Sequence, residues 1–273
     1  MRSFLRGLVG GEENLPLHGY PKSEMACPLL DALSDDDLGK LNAILPWYCF
    51  TTDGRGRRVG RRARPGKRGA PQQLPDRRIR LMHERFGLRD KSVLEFGCFE
   101  GVHTIALAAQ GAQVTAVDAR LENVVKAMVR TALYGQRAAI FSCDLEVADD
   151  WARLPQCDLL HHVGVLYHLK DPVAHLFRLR QVVRVGMMLD THFALPQDAQ
   201  HRYETNGVEV AYKRYAEGGK SEIFSGMYDH AKWLTLSTLT ELLRRAGFAT
   251  IEIVEERAER NGPRVLLFAA VEG

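Results

Sequence analysis

From about residue 76 the apolar positions alternate between short continuous runs and longer amphipathic stretches. "IRLMHERFGL" predicts a helix, "SVLEFG" a strand, "GVHTIALAAQG" a helix stopped by Gly111, and "AQVTAVDA" a second strand. "LENVVKAMVRTALYG" continues as a helix with its own glycine stop. Strands follow at "AAIFSCD", "CDLLHHVGV" and "VGMMLDTHF", the last two separated by the helical "DPVAHLFRLRQVV". The pattern closes with the helix "TLSTLTELLRRAGF" and the strands "TIEIVEE" and "RVLLFAAV". Strands that are apolar on both faces and alternate with helices predict an α/β fold, a mostly parallel sheet with helices on both sides. "RAERNG" joins the last two strands, and its Asn-Gly predicts an antiparallel final hairpin.

Two stretches break this rhythm. Residues 195–232 are polar, contain glycine and carry Tyr203, Tyr212 and Tyr215. An insert of that length is expected to act as a lid whose tyrosines stack on a flat or glycosidic substrate. Residues 1–75 are read as an N-terminal extension to a domain spanning 76–273. Within the extension, "SDDDLGKLNAIL" predicts a helix begun at Ser34. "GRGRRVGRRARPGKRGAP" (54–71) has almost nothing to bury and predicts a long basic loop or disordered arm.

Composition narrows the classes without choosing one. A chain of 273 residues, 45% hydrophobic and 26% charged, suits one large globular domain with an appendage. The net charge of +3 is too small to imply nucleic acid or membrane, so only the concentrated arginines of 55–68 bear on a polyanionic partner. Five cysteines without a CxxC pair argue against a disulfide framework or a zinc knuckle and fit a reducing, cytoplasmic setting. The first residues lack a signal-peptide apolar core, and no run approaches the roughly 20 apolar residues of a membrane span.

The chemistry concentrates at strand ends. In an open parallel sheet, ligands bind beyond the carboxyl ends of the strands, and the first strand here runs into "GCFEG". Gly97 and Gly101 are expected to let the backbone approach a ligand, with helix-start amides aimed at it. Glu95, Asp118 and Asp144 end three successive strands. A short carboxylate at the second strand tip can accept both hydroxyl protons of an adenosine ribose, the role expected of Asp118. Asp144 is expected near the adenine amino group, and Glu95 near a cationic amino-acid end or beneath the loop amides.

These motifs, "VLEFGCFEG", "VTAVDAR", "FSCDLE" and above all "HHVGVLYHLKDPVAHL", resemble class I S-adenosylmethionine-dependent methyltransferases over roughly residues 76–272. "GVLYHLKDP" is similar to the branch that includes the tRNA wobble-uridine carboxymethyltransferases. The resemblance implies a Rossmann-like seven-stranded sheet, bound S-adenosylmethionine and methyl transfer. It implies cofactor contacts from Glu95, Gly97, Cys98, Phe99, Gly101, Asp118, Ala119, Arg120, Asp144, Leu145, Val163 and Gly164. Phe99 stands where the family pattern has a glycine, leaving open whether it packs on the cofactor or in the core. The wobble-uridine enzymes hold a carboxylated cofactor with basic side chains, notably an arginine in the C-terminal part; the residues of "EERAERNGPRVLL" do not single out that arginine, so ordinary S-adenosylmethionine is expected.

Methyl transfer from a sulfonium is an in-line displacement that needs alignment, and a base where the acceptor has a high pKa. His168 is the expected base or acceptor-binding group, with Tyr167 shaping the pocket and His192 a further candidate. His161 and His162 point to opposite faces of their strand, and His161 is expected to be satisfied against packed helices. Asp190 and His192 at i and i+2 are too few ligands for a metal, and none is expected. The expected acceptor is a small metabolite or natural product, methylated on O, N or C. The alternative is RNA, bound through 55–68. A nicotinamide oxidoreductase would need GxGxxG, which "GCFEG" does not supply, and a non-catalytic module would not need all three acids.

Overall fold

The structure is a computed structural model that describes residues 15–61 and 69–272. The chain begins with α1 (Pro28–Asp31) and α2 (Asp35–Ile44), the second capped by the Ser34 hydroxyl accepting the Asp37 amide. A small hairpin follows, β1 (Phe50–Thr52) against β2 (Arg58–Gly60). The regular alternation then runs α3 (Arg77–Phe86), β3 (Ser92–Phe96), α4 (Val102–Ala109), β4 (Gln113–Asp118), α5 (Leu121–Leu133), β5 (Ala139–Ser142), the short α6 (Ala148–Trp151), β6 (Cys157–Val163), α7 (Pro172–Val182) and β7 (Val183–His192). Next come β8 (His201–Thr205), β9 (Val208–Ala216) and β10 (His230–Leu234), then α8 (Leu236–Arg245), β11 (Thr250–Glu259) and β12 (Gly262–Ala270).

Seven strands form the central sheet in the order β11-β12-β7-β6-β3-β4-β5. β3 to β7 are mutually parallel, whereas β12 runs antiparallel to both β7 and β11. The chain leaves β3 toward β4 and β5 on one side and returns to β6 on the other, so the strand order reverses at β3/β6, where a ligand crevice opens. The closing hairpin turns at Arg260–Asn261, one residue before the Asn-Gly signal placed it, because both strands run longer than their apolar patterns.

Apolar side chains pack on both faces. One face holds Leu94, Phe96, Leu160 and Leu189 against α7 and α8. The other holds Val93, Leu159 and Met188 against α3 and α4, and there Cys27, Leu30, Leu38, Cys49 and Val59 of the N-terminal segment join the same core. A buried carboxylate reinforces that join. Glu100 accepts the amides of Tyr48 and Cys49 and pairs with Arg130 (3.2 Å) and Lys126 (3.4 Å).

Residues 54–60 are not the loop their composition predicts. β2 pairs with β1, and Arg57 is fully buried. Its guanidinium donates to Asp53 (2.7 Å), to Asp35 (2.9 Å) and to the carbonyls of Leu30 and Leu33 (2.8 Å each). Buried guanidinium is tolerable only when its donors meet fixed acceptors, and a basic, glycine-rich composition does not reveal those acceptors. Residues 62–68, the rest of the arginine-rich run, lie outside the described residues.

The insert is also more ordered than a loop. β8, β9 and β10 form a separate antiparallel sheet in the order β10-β9-β8, ending at Leu234 rather than at 232. Asn206 (φ 51°) and Gly207 (φ 68°) make the β8–β9 turn. Asn-Gly between two alternating runs is a strong hairpin signal, and it was readable in "RYETNGVEV". Among the described residues no helix is long and apolar enough to cross a membrane, and all five cysteines are buried free thiols.

Candidate active site

A cleft of about 690 Å³ opens at the carboxyl ends of β3, β4, β5 and β6. Its floor is the β3–α4 turn, where Gly97 (φ 66°), Phe99 (φ 50°) and Gly101 (φ 78°) all take left-handed conformations. A Cβ on Gly97 would fall 2.4 Å from Val165 Cγ2, and one on Gly101 would fall 2.9 Å from Ala127 Cα. A side chain at either position would therefore collide with the protein, and Gly97 also lines the cleft. Cys98 is buried beneath the turn, its amide donating to the Val117 carbonyl.

Phe99 belongs to the cleft wall. Its amide donates to Asp118 Oδ2 (3.0 Å), and its ring packs 5.6 Å from Phe224 of the insert. Asp118 also accepts the Arg120 amide (2.9 Å) and the Asn123 side-chain amide (3.0 Å) through Oδ1. Burial nonetheless raises the Asp118 carboxyl above the ordinary carboxylate range, so these three donors do not fully compensate its desolvation. Two further hydroxyl donors, as a ribose presents, would complete it. Ala119, Asp144, Leu145, Val163 and Gly164 line the same cleft. Asp144 accepts the Glu146 amide (3.1 Å), which fixes the β5 exit loop.

Glu95 and His161 are register partners on β3 and β6, so their side chains share the face covered by α4. Glu95 Oε2 accepts the Thr104 hydroxyl (2.5 Å), and Oε1 lies 3.9 Å from His161 Nδ1. Burial pushes the Glu95 carboxyl up to about 8. His161 is not the satisfied histidine expected of it: neither ring nitrogen has a hydrogen-bond partner, although the residue is 1% exposed. His162 on the opposite face has one partner, its Nε2 lying 2.8 Å from His175 Nε2, while its Nδ1 is buried unpaired.

His168 and Tyr167 both line the cleft, in the turn that follows β6. His168 Nδ1 lies 2.7 Å from Glu217 Oε1, and Glu217 Oε2 accepts the Gly226 amide (3.2 Å). The Tyr167 ring packs 4.2 Å from His168 and edge-on to Trp233. His192 is not brought to the cleft. It lies behind Tyr167, stacked 4.9 Å from Trp233, with Nδ1 3.1 Å from the Pro263 carbonyl. Asp190 is equally committed: burial opposes its ionisation, but Arg264, Arg78 and Arg257 hold its carboxyl below the usual range.

The insert covers the cleft with residues 222–227. Arg120, next to Asp118, shares Nη2 among the carbonyls of Gly219 (3.0 Å), Glu222 (2.9 Å) and Gly226 (3.2 Å). Of the three tyrosines expected to stack on a substrate, only Tyr215 lines the cleft, and it stacks on Trp233. Tyr203 and Tyr212 pack on each other beneath Lys232, with the Tyr203 hydroxyl on Asp171. Glu217, Phe224 and Trp233 escaped the sequence reading; the insert was marked as a segment, but the residues facing inward depend on its fold.

The described residues suit S-adenosylmethionine: Asp118 lacks its last donors, and the desolvated Glu95 carboxyl lies at the side of the turn where a cationic amino-acid end would compensate it. The chain's relatives agree. The methyltransferase domain family matches residues 67–253. The tRNA U34 carboxymethyltransferase of Vibrio atlanticus (strain LGP32) is 27% identical over 179 residues, 64% of this chain and 50% of that protein. The ubiquinone biosynthesis O-methyltransferase of Aromatoleum aromaticum (strain DSM 19018 / LMG 30748 / EbN1) is 24% identical over 179 residues, 65% and 72% of the two chains. The chain spans about half the length of the carboxymethyltransferases it matches. Among solved structures, the N-terminal domain of EvdMO1, determined in the presence of SAH and D-fucose, is 25% identical and superposes with a TM-score of 0.71 over 88% of this chain and 98% of that one. With the strand order, the cleft and the family match in agreement, the chain belongs to the methyltransferase domain family and is a class I S-adenosylmethionine-dependent methyltransferase.

Proposed function

We propose that the chain methylates a hydroxyl group of a small, sugar-bearing metabolite, with His168 as general base and Glu217 as its positioning residue. The observation that carries this reading is the 2.7 Å contact between His168 Nδ1 and Glu217 Oε1 beside a cleft floored by Asp118 and the β3–α4 turn. A sugar hydroxyl is a poor nucleophile at neutral pH and gains from a base, whereas a softer nitrogen or carbon acceptor has less need of one. Likeness to a domain crystallised with D-fucose across nearly its whole length supports the acceptor class.

Bound S-adenosylmethionine supplies an electrophilic methyl group on a sulfonium. Asp118 would hold the ribose hydroxyls, and Ala119, Asp144, Leu145, Gly97, Cys98 and Phe99, which line the same cleft, would hold the rest of the cofactor. The Glu217 carboxylate accepts the Nδ1 proton of His168 and so leaves Nε2 able to take the acceptor's proton. His168 Nε2 would take the hydroxyl proton as the acceptor oxygen displaces the methyl group from the sulfonium. A methyl ether and S-adenosylhomocysteine are released. Tyr167 and Tyr215 flank the acceptor, and residues 222–227 exclude water from the donor, the lid role expected of the insert.

RNA is the second reading; of the described part of the basic run, Arg57 and Arg58 are engaged with the protein's own carboxylates and carbonyls. The test is methyl transfer from labelled S-adenosylmethionine to a panel of deoxysugar glycosides and, separately, to bulk tRNA. Labelled methyl ether on a glycoside supports the reading; transfer to tRNA alone overturns it.

A further inference from the structure

We infer that Glu95, His103 and His161 form a binding site for one divalent transition-metal ion of the zinc type at the inner wall of the cleft. Each residue offers one donor atom, and the three atoms lie within 4.8 Å of one another. Glu95 and His161 are adjacent on neighbouring parallel strands, while His103 descends onto them from α4, its ring 5.0 Å from that of His161 and nearly perpendicular to it. The three groups thus come from three elements and converge from three directions.

The spacing fits shared ligation better than hydrogen bonding. Glu95 Oε1 and His161 Nδ1 are 3.9 Å apart, too far for a hydrogen bond. Two ligands held at about 2.1 Å from one tetrahedral ion stand ~3.4 Å apart, so this pair needs to close by only about half an ångström to share an ion. His161 supplies the independent sign of a missing partner: it is 1% exposed with both ring nitrogens unpaired. A buried polar group ordinarily finds a partner, and a desolvated carboxylate beside it calls for a cation. The amino-acid end of a donor in the cleft reaches Glu95 and His103, which line it, but not His161, which lies behind them.

The ligand chemistry selects the ion. Two imidazoles and one carboxylate suit zinc, iron, cobalt or nickel, whereas magnesium and calcium take oxygen ligands. His103 Nε2 lies 3.2 Å from Arg78 Nη2, with Asp76 Oδ2 at 3.6 Å, beyond hydrogen-bond range. Three protein ligands leave a coordination position open, and Glu95 and His103 turn that side toward the cleft. The inference rests on the cofactor reading only for what the open position faces.

The test uses the full-length protein, stripped with a chelator and titrated with zinc chloride by calorimetry and with cobalt(II) by visible absorption. One zinc per chain is expected, with a cobalt spectrum of low-symmetry four- or five-coordination. Stoichiometric binding should be lost in His161→Gln and in His103→Gln, the second the less buried of the two positions, with circular dichroism checking that each variant is folded. Wild-type protein that retains no metal, or a His161→Gln variant that binds zinc as well as wild type, overturns the site and leaves water among the three groups. S-adenosylhomocysteine titrated into the same samples separates the two readings: its binding without metal binding rejects only the metal site, and its failure to bind rejects the assignment of the cleft.

Discussion

His168 of the post-β6 turn and Glu217 of the insert meet through a 2.7 Å contact between Nδ1 and Oε1, although 49 residues separate them in the chain. The contact therefore exists only while the insert lies over the cleft. His168→Ala should slow turnover by about 10²–10⁴-fold and leave S-adenosylhomocysteine affinity unchanged. Glu217→Gln should lower kcat less and shift the pH profile of kcat, which a structural role alone would not do. Single-turnover kinetics with calorimetry on the same variants makes the check, and loss of cofactor binding in either one would remove its assigned role.

Asp118→Ala should weaken S-adenosylhomocysteine binding by at least tenfold. The change removes the acceptor for two ribose hydroxyls and strands the amides of Phe99 and Arg120; hydrogen bonds to charged groups contribute about 1.5–3 kcal/mol each. Calorimetry against wild type measures it, and an unchanged Kd would place the ribose elsewhere.

Arg120→Ala should loosen the insert without unfolding the domain. The guanidinium holds three carbonyls of residues 219–226 from a position two residues after Asp118. Amide hydrogen exchange should accelerate across 217–227 and remain unchanged in β3 and β6. Uniform exchange across the chain would contradict this tie.

Glu100→Ala should destabilise the fold by about 3–5 kcal/mol, because it leaves Arg130 and Lys126 buried without their shared carboxylate. Denaturant titration reads the loss. Cofactor affinity measured under folded conditions should change little, since Glu100 faces the N-terminal segment and not the cleft.

Acid should destabilise the protein through the buried pair His162 and His175. Burial pushes His162 down to about 3 and His175 well below its usual value, so both are neutral in the fold. Below the unfolded value of about 6.5 the unfolded chain takes up protons that the fold does not, and each histidine costs ~1.4 kcal/mol per pH unit. Their contribution is complete above that pH and is lost as pH falls toward 3. Melting temperatures from pH 7.5 to 5 should fall more steeply in wild type than in a His162→Leu/His175→Leu variant; equal slopes would refute the assignment.

The alternation of apolar strands and amphipathic helices, the glycine stops and the acids at strand tips were legible along the chain, because each is a local pattern with a period or an offset. That sufficed for the seven-stranded sheet, its antiparallel end and the positions of Asp118 and Asp144. It sufficed also for His161 and His162 facing opposite ways. What each residue meets was not legible. Arg57 reads as part of a solvated basic loop until Asp53, Asp35 and two carbonyls surround it. His192 and Asp190 read as site residues until Trp233 and three arginines claim them. Glu217 gains a role only when a three-stranded insert carries it to His168. Sequence by itself determined which elements form, since backbone propensity and the burial period are written residue by residue. Tertiary structure alone decided the partners, because a buried charge or imidazole is defined by groups brought to it from distant segments, and nothing local encodes their arrival.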